Sequence, residues 1–226
     1  MITIVTPTHN PVKEWFHEMI QSCAGADRHI IVDDASDNFN PAEYEAAYII
    51  DTKVYRNEKN LGCFKTINEG VAQIKTDDWI SAQADDDTWH AVNFPKLVKQ
   101  LRKSKADIVH FPCIYYGKMS GFFGVSKNES FDDLKKDNNI YGASFFKKHV
   151  WDALGGFKLD VAGDWDFWLR AMKSGFTFEY FPLVCAWFRV SDRSMFERSL
   201  KKIGRCKINK SVKRSVDNWE GVTNEV

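Results

Sequence analysis

The chain has 226 residues, 44% of them hydrophobic and 14% aromatic, with eight tryptophans and 31 basic side chains against 31 acidic ones. That composition excludes a disordered chain and supplies apolar surface for one large core, so a single domain is the default. A formal net charge of zero gives no whole-molecule attraction to nucleic acid or to a membrane.

The opening segment, MITIVTPTHN, lacks the basic and apolar regions of a secretion signal. No run approaches the roughly eighteen consecutive apolar residues of a spanning helix. Both readings place the chain in the cytoplasm. Cys23, Cys63, Cys113, Cys185 and Cys206 are odd in number and contain no C-x-x-C pair, so they read as buried or incidental thiols rather than a disulfide or zinc framework.

Residues 2–6 (ITIVT) and 29–33 (HIIVD) are β-branched apolar runs, with a helix predicted from near Val12 between them. Their polar followers lie just past the strand ends, where open parallel sheets bind ligands. A strand is predicted around 52–56, then Asn60-Leu61-Gly62 punctuates the chain before a helix with Phe64, Ile67, Val71 and Ile74 on one face. A strand at Trp79 and Ile80 stops at an acidic cluster. Residues 89–102 read as a helix and 107–114 as a buried strand. Glycines, serines and mixed charges mark 117–139 as an irregular excursion that shapes or covers an acceptor site. Helices are predicted at 144–154, closed by Gly155-Gly156, and at 163–173 with Trp165, Trp168, Leu169 and Met172 inward. Strands follow near 176–180 and 183–190. The order is that of an α/β protein, with an open, mixed but mainly parallel sheet flanked by helices and a Rossmann-like nucleotide-binding N-terminal half. Between Arg193 and Arg214 lie nine Lys or Arg residues and one acidic residue, Glu197, in a segment that reads as helical and frays beyond Val212. This basic stretch is either a solvated helix face or a surface for an anionic membrane or nucleic acid.

Asp85, Asp86 and Asp87 are the densest chemical signal. Adjacent carboxylates at a strand end repel one another, and a divalent cation bound to a diphosphate offsets that repulsion. Mg²⁺ or Mn²⁺ fits such oxygen ligands; which two of the three carboxylates bind the ion stays open. Asp33-Asp34 ends the second strand, where one carboxylate suits a base or ribose and the other an Asx-turn. Thr6 and Thr8 wall a crevice after the first strand, and His9 reads as a surface histidine. Asp164 stands in the first turn of a helix, where free N–H groups favour an ionised carboxylate, and Asp166 and Arg170 are spaced to pair.

These motifs, in order, resemble glycosyltransferase family 2, the inverting transferases of the GT-A fold: IVTPTHN at the start, VDDAS at 32–36, the paired N-x-G at Asn60, Gly62, Asn68 and Gly70, DDTW at 86–89, GASFFKK and LGGF across 142–157, and GDWDFWLR at 163–170. The resemblance covers residues 1–195 as one GT-A domain, with the nucleotide sugar on 1–115, the acceptor and base on 116–195, and a basic helical extension at 196–226. It implies that Asp34 contacts the nucleobase beside Thr8, that Asp86 and its neighbours hold metal and diphosphate, and that Asp164 is the base. Three positions depart from the family pattern. Ala84 stands where the first metal-motif carboxylate is common, Gly163 replaces the usual glutamate before the base, and Ile67 occupies a frequent arginine position, with Lys65 as the substitute cation. A family histidine falls near Ser191, leaving Arg189 or Arg193 to meet the diphosphate. The implied donor is a nucleoside diphosphate sugar, with uridine favoured. The implied acceptor is a hydroxyl of a glycan, a lipid-linked oligosaccharide or, as an alternative, DNA, and the implied setting is the inner face of a membrane. Rival readings are a nucleotidyltransferase and a noncatalytic nucleotide-sugar-binding module.

Overall fold

The computed structural model describes residues 1–125, 127, 130–193, 201 and 204–222. Strand β1 (Ile2–Thr8) carries Ile2, Ile4 and Val5 at the centre of the core, and it pairs in parallel with β2 (Arg28–Asp33) on one side and β4 (Trp79–Ala82) on the other. Helix α1 (Lys13–Ser22) makes the crossover and buries Phe16, Met19 and Ile20. Outside β2 lies β3 (Asp51–Arg56), reached through a short 3₁₀ turn at Pro41–Ala47 that the sequence reading left out.

Helix α2 (Cys63–Ala72) packs on the opposite face of the sheet through Phe64, Ile67 and Val71, as the three- and four-residue spacing predicts. Its approach is close because Gly70 has no side chain: a Cβ there would stand 2.5 Å from Val5 Cγ1 and 3.0 Å from Val32 Cγ2. Asn68, of the second N-x-G, receives the Trp151 indole N–H and the Phe157 amide on its Oδ1, both at 3.0 Å, so this motif braces the later part of the chain.

The main sheet has seven strands in the order β10, β6, β9, β4, β1, β2, β3, where β6 is Ile108–His110, β9 is Phe145–Lys147 and β10 is Phe178–Tyr180. Only β9 runs against its neighbours in this sheet. Segment 145–147 was predicted as helix; instead it is a strand wedged between β4 and β6, and α5 occupies just Lys148–Leu154. The reason is two-sided burial. Phe145 and Phe146 point into opposite core clusters, so alternation leaves no polar residue to reveal it.

A smaller sheet in the order β5, β11, β7, β8 stands beside the first, with β5 at Thr88–Trp89, β7 at Cys113–Gly117, β8 at Gly121–Phe123 and β11 at Ala186–Val190. The strand predicted at 107–114 is therefore two strands in two sheets. They are separated at Phe111-Pro112, where proline cannot donate to a ladder. Likewise, the helix predicted from residue 89 starts later, as α3 (Phe94–Leu101), because Trp89 pairs with Ala186 in the small sheet. Within the supposed irregular excursion lie β8 and α4 (Phe131–Lys136), the helix being capped by Ser130, whose hydroxyl accepts the Asp133 amide.

Helix α6 (Gly163–Lys173) has the predicted bounds and buries Trp165, Trp168 and Leu169. Arg170 lies fully buried, 2.7 Å from Asp166, and also donates to the carbonyls of Leu154 and Gly156 at the end of α5. Helix α7 (Arg205–Asp217) runs past Val212, and Ile208, Val212 and Val216 anchor it in the same core as α6. Residues 194–200, 202 and 203 of the basic stretch lie outside the described residues.

Gly70→Ala is expected to lower stability by about 1–3 kcal/mol, the range for overpacking a dense core. Urea denaturation measures this loss, and Val5→Ala in the same chain should recover part of it.

Candidate active site

The carboxyl ends of β1, β2 and β4 open on one side of the main sheet, and the polar residues after each strand gather there. Two of the three non-glycine residues with left-handed backbone among the described residues, Asn10 and Ala35 at φ 49° and 56°, turn the chain after β1 and β2. The third, Ala162 at φ 56°, starts α6. Such strain persists where surrounding bonds over-determine it. Here the Asn10 amide donates to Ser36 Oγ at 2.8 Å, and the Asp37 amide donates to Asn10 Oδ1 at 2.9 Å.

The two aspartates after β2 divide their work. Asp33 is buried, takes the Ser36 amide at 3.1 Å and pairs with Arg56, closing the strand as an Asx-turn would. Asp34 accepts the Leu61 and Gly62 amides at 2.8 and 2.9 Å and the Asn57 side chain at 2.8 Å. Burial works to raise the Asp34 carboxyl, but these donors win and bring it below its ordinary value. The first N-x-G loop is thus the cradle of Asp34.

Residues 84–87 form a turn at the end of β4 that distributes the three carboxylates differently. Asp85 accepts the Thr8 hydroxyl at 2.6 Å. Asp87 is buried, with one oxygen on the Arg189 amide at 2.7 Å and the other on the Tyr141 hydroxyl at 3.0 Å. The Asp86 carboxylate is bonded by its own backbone amide and has no side-chain partner among the described residues. Burial and the neighbouring Asp85 push its carboxyl up to about 7, and burial also raises Asp85 and Asp87. Arg189 borders the turn: its guanidinium lies 4.5 Å from the Trp15 ring and 4.9 Å from the Tyr116 ring, with Nε on the Asp86 carbonyl at 3.1 Å and Nη2 on Glu18 at 2.7 Å. Exposed Arg193 donates to the Asn10 carbonyl, and its charge reaches Asp85 and Asp86.

Asp164 comes from the start of α6. The helix start was expected to favour its ionised form, yet burial outweighs that and raises it, against the Trp165 amide, its own amide and the Asn138 side chain. Gly142 leaves room for the carboxylate, since a Cβ there would stand 3.2 Å from Asp164 Oδ2. Gly163 has a packing reason too: the Phe64 ring lies against it, with ring atoms 2.8 to 3.0 Å from any added Cβ. The ring of α2 fills the place where a longer side chain before Asp164 would leave the helix.

The thiol of Cys63 links these groups. The residue is half-buried but its thiol is enclosed, and desolvation together with the fields of Asp85, Asp164, Asp34 and Asp86 pushes it up to about 12. Four carboxylates from three separate stretches of sequence therefore surround one point at the start of α2. Thr8, Asp34, Asp85, Asp86, Asp87, Arg189 and Asp164 are brought together, with Arg193 at the rim. Two predicted members are not. Thr6 turns its hydroxyl into the core, 2.9 Å from His29 Nε2, whereas Thr8 at the end of the same strand reaches Asp85. Lys65 is exposed and paired with Asp160 at 3.1 Å. Sequence reasoning missed Cys63, Asn138 and Tyr141; of these, Tyr141 directly precedes the GASFFKK motif and Cys63 directly follows the first N-x-G, whereas Asn138 carries no such signal.

Among the described residues no group of three or more His, Cys, Asp or Glu side chains is arranged to hold a metal by itself. The donor set nevertheless suits a hard cation shared with a diphosphate, which needs few protein carboxylates: Asp86 has no side-chain hydrogen-bond partner among the described residues, and Asp85 adjoins it.

An open, mainly parallel sheet with an acidic turn at its carboxyl edge and a separate carboxylate from the start of α6 is the arrangement of the GT-A fold of glycosyltransferases. The model of the Glycosyl transferase family 2 matches residues 3–161, and the chain belongs to that family. No curated protein matches the sequence. Among solved structures, S. aureus TarS 1-349 superposes with a TM-score of 0.73 at 12% identity, covering 97% of this chain and 66% of that one. Its complex with UDP gives 0.70 at 16% identity over 84% of this chain and 61% of TarS, and its complex with UDP-GlcNAc gives 0.70 at 13% over 87% and 60%. The chain thus spans about three fifths of the TarS segment in those complexes. Family membership favours a glycosyl transferase over the nucleotidyltransferase reading.

The Asp86 shift has a pH signature. Its folded pKa is raised above the unfolded value of 3.8, to about 7, so the folded state binds the extra proton between those limits. Its contribution to stability is therefore favourable below that window and is lost as pH rises through about 7. In chelator-treated protein, Asp86→Asn is expected to be more stable than the unaltered chain at pH 8, with the difference shrinking toward pH 5; thermal melts across that range measure it.

Proposed function

We propose that this protein transfers a sugar from a nucleoside diphosphate sugar, with UDP as the leaving group, to an acceptor hydroxyl in one inverting displacement. The observation that carries the reading is the convergence of Asp34, Asp85, Asp86 and Asp164 around Cys63 at the carboxyl edge of the sheet. The TarS complexes with UDP and UDP-GlcNAc favour uridine as the base. Asp34, already oriented by the Leu61 and Gly62 amides, faces the nucleobase, with Thr8 beside it. Asp86, together with Asp85, would hold Mn²⁺ or Mg²⁺. When bound, that ion neutralises charge on the departing diphosphate. Asp87 would then act from behind, since the Arg189 amide and the Tyr141 hydroxyl occupy both of its oxygens. Arg189 and Arg193 supply positive charge at the rim.

Asp164 takes the proton of the acceptor hydroxyl as its oxygen bonds to the anomeric carbon. The bond from that carbon to the diphosphate oxygen breaks on the opposite side, and its electron pair leaves with the nucleotide. An upward-shifted carboxyl is a stronger base than a solvated one, which suits this task. Residues 116–195 form the acceptor side, where a cavity of about 470 Å³ lies between β8 and α4, with Phe122, Phe123 and Asn139 in its lining. Aromatic faces beside polar groups suit a saccharide.

Among the described residues no helix is long and apolar enough to cross a membrane. The outer face of α7 presents Lys207, Lys210, Lys213 and Arg214. This face supports contact with an anionic membrane surface, in keeping with a glycan or lipid-linked acceptor on the cytoplasmic side, in preference to DNA. Sedimentation with anionic vesicles should fall as salt rises and should fall further for the Lys207→Glu, Lys210→Glu double variant; binding that ignores both changes rejects the contact.

Asp164→Asn should leave folding and donor binding intact while lowering transfer by roughly 10²-fold or more. Asp86→Ala should instead weaken donor binding only when Mn²⁺ is present. Mass spectrometry of products and calorimetry with and without the ion measure these effects, and full transfer by the Asp164 variant would remove the base assignment.

A further inference from the structure

The segment between α4 and β9 touches both halves of the site. Its Tyr141 hydroxyl holds Asp87, its Gly142 lies against the Asp164 carboxylate, and its Asn138 donates from Nδ2 to Asp164 Oδ2 at 3.1 Å. The amide orientation of Asn138 is determined from both ends. Its Oδ1 accepts the Ile140 amide at 3.1 Å, so a flipped side chain would set an oxygen against the carboxylate and an NH₂ against an N–H. The stretch bearing Asn138 is tied down in turn. The Trp165 indole, next to Asp164 on α6, donates to the Leu134 carbonyl at 2.6 Å. On the outer side, Arg205 of α7 grips both oxygens of Asp137 at 2.8 and 2.9 Å, and Lys135 pairs with Asp217 at 2.7 Å.

We infer that Asn138 is the positioning residue of Asp164, fixing the rotamer of the carboxylate and favouring its ionised form, and that α7 holds Asn138 in place through Asp137. This rests on the reading of Asp164 as the base. A neutral donor is the suitable partner: a cation would suppress basicity and a carboxylate would hold the proton too tightly. The other groups facing Asp164 are Asp166 on its own helix, itself paired with Arg170, and the buried Cys63 thiol of α2. Neither can donate to Oδ2 in place of Asn138: one is a paired carboxylate and the other a weak donor.

The test needs no acceptor. Full-length protein carrying ¹³Cγ-aspartate is titrated by NMR, with the Asp164 resonance assigned by its disappearance in Asp164→Asn. Asn138→Ala removes a donor to the ionised form, so the Asp164 midpoint is expected to rise by about one pH unit. Asn138→Asp keeps the shape and adds like charge, so it should raise the midpoint further, and it provides the same reading if the alanine variant does not fold. Arg205→Ala should give a smaller rise in the same direction. Midpoints in the folded Asn138 variants that coincide with that of the unaltered protein overturn the proposal. Because the titration reads Asp164 directly, this outcome is separate from loss of the base assignment, which turnover by Asp164→Asn decides.

Discussion

Carboxylates repel one another, and the repulsion grows as they leave water. This protein nevertheless gathers Asp34, Asp85, Asp86, Asp87 and Asp164 where three parallel strands end. Nearly everything around the site can be understood as a response. Asp34 is offset by two amides and an asparagine, and Asp87 by an amide and a phenol, while Asp85 takes a threonine hydroxyl. Arg189 is held at the edge between two aromatic rings. Asp86 has no side-chain hydrogen-bond partner among the described residues and only its own amide and the fields of Arg189 and Arg193 against the repulsion, which suits a cation-sharing reading of the turn.

The uneven treatment of neighbouring residues explains how much could be read in advance. The order of motifs, the strand ends and the amphipathic faces of α2 and α6 were legible, because each depends on local spacing. The assignment of jobs within Asp33-Asp34 and Asp85-Asp86-Asp87 was not. Which carboxylate becomes structural depends on partners 20 to 100 residues away, such as Arg56 and the Arg189 amide, which a local pattern does not contain. Thr6 and Thr8 illustrate the same limit: two residues apart on one strand, they were placed together by chemistry, and only their partners, His29 and Asp85, separate the core hydroxyl from the site hydroxyl.

Strand β9 was hidden for a different reason. A segment buried on both faces has no polar side to mark its period, so Phe145-Phe146 reads equally well as helix. Helix α4 was concealed by its composition, although Ser130 and Asp133 carried a capping signal. The basic C-terminal segment looked like an appendage because its charge dominates. Its apolar residues Ile208, Val212 and Val216 instead make α7 part of the core, leaving the positive charge to the opposite face.

The contact between Gly163 and the Phe64 ring bears on how the chain could have reached its present form. An added atom at 163 meets the ring, whereas a smaller residue at 64 with glycine retained opens a void under α6. Neither position can change comfortably before the other, so the two behave as one hereditary unit. A longer side chain at 163 therefore needs a smaller residue at 64 in the same molecule, and either change made alone passes through a less stable protein.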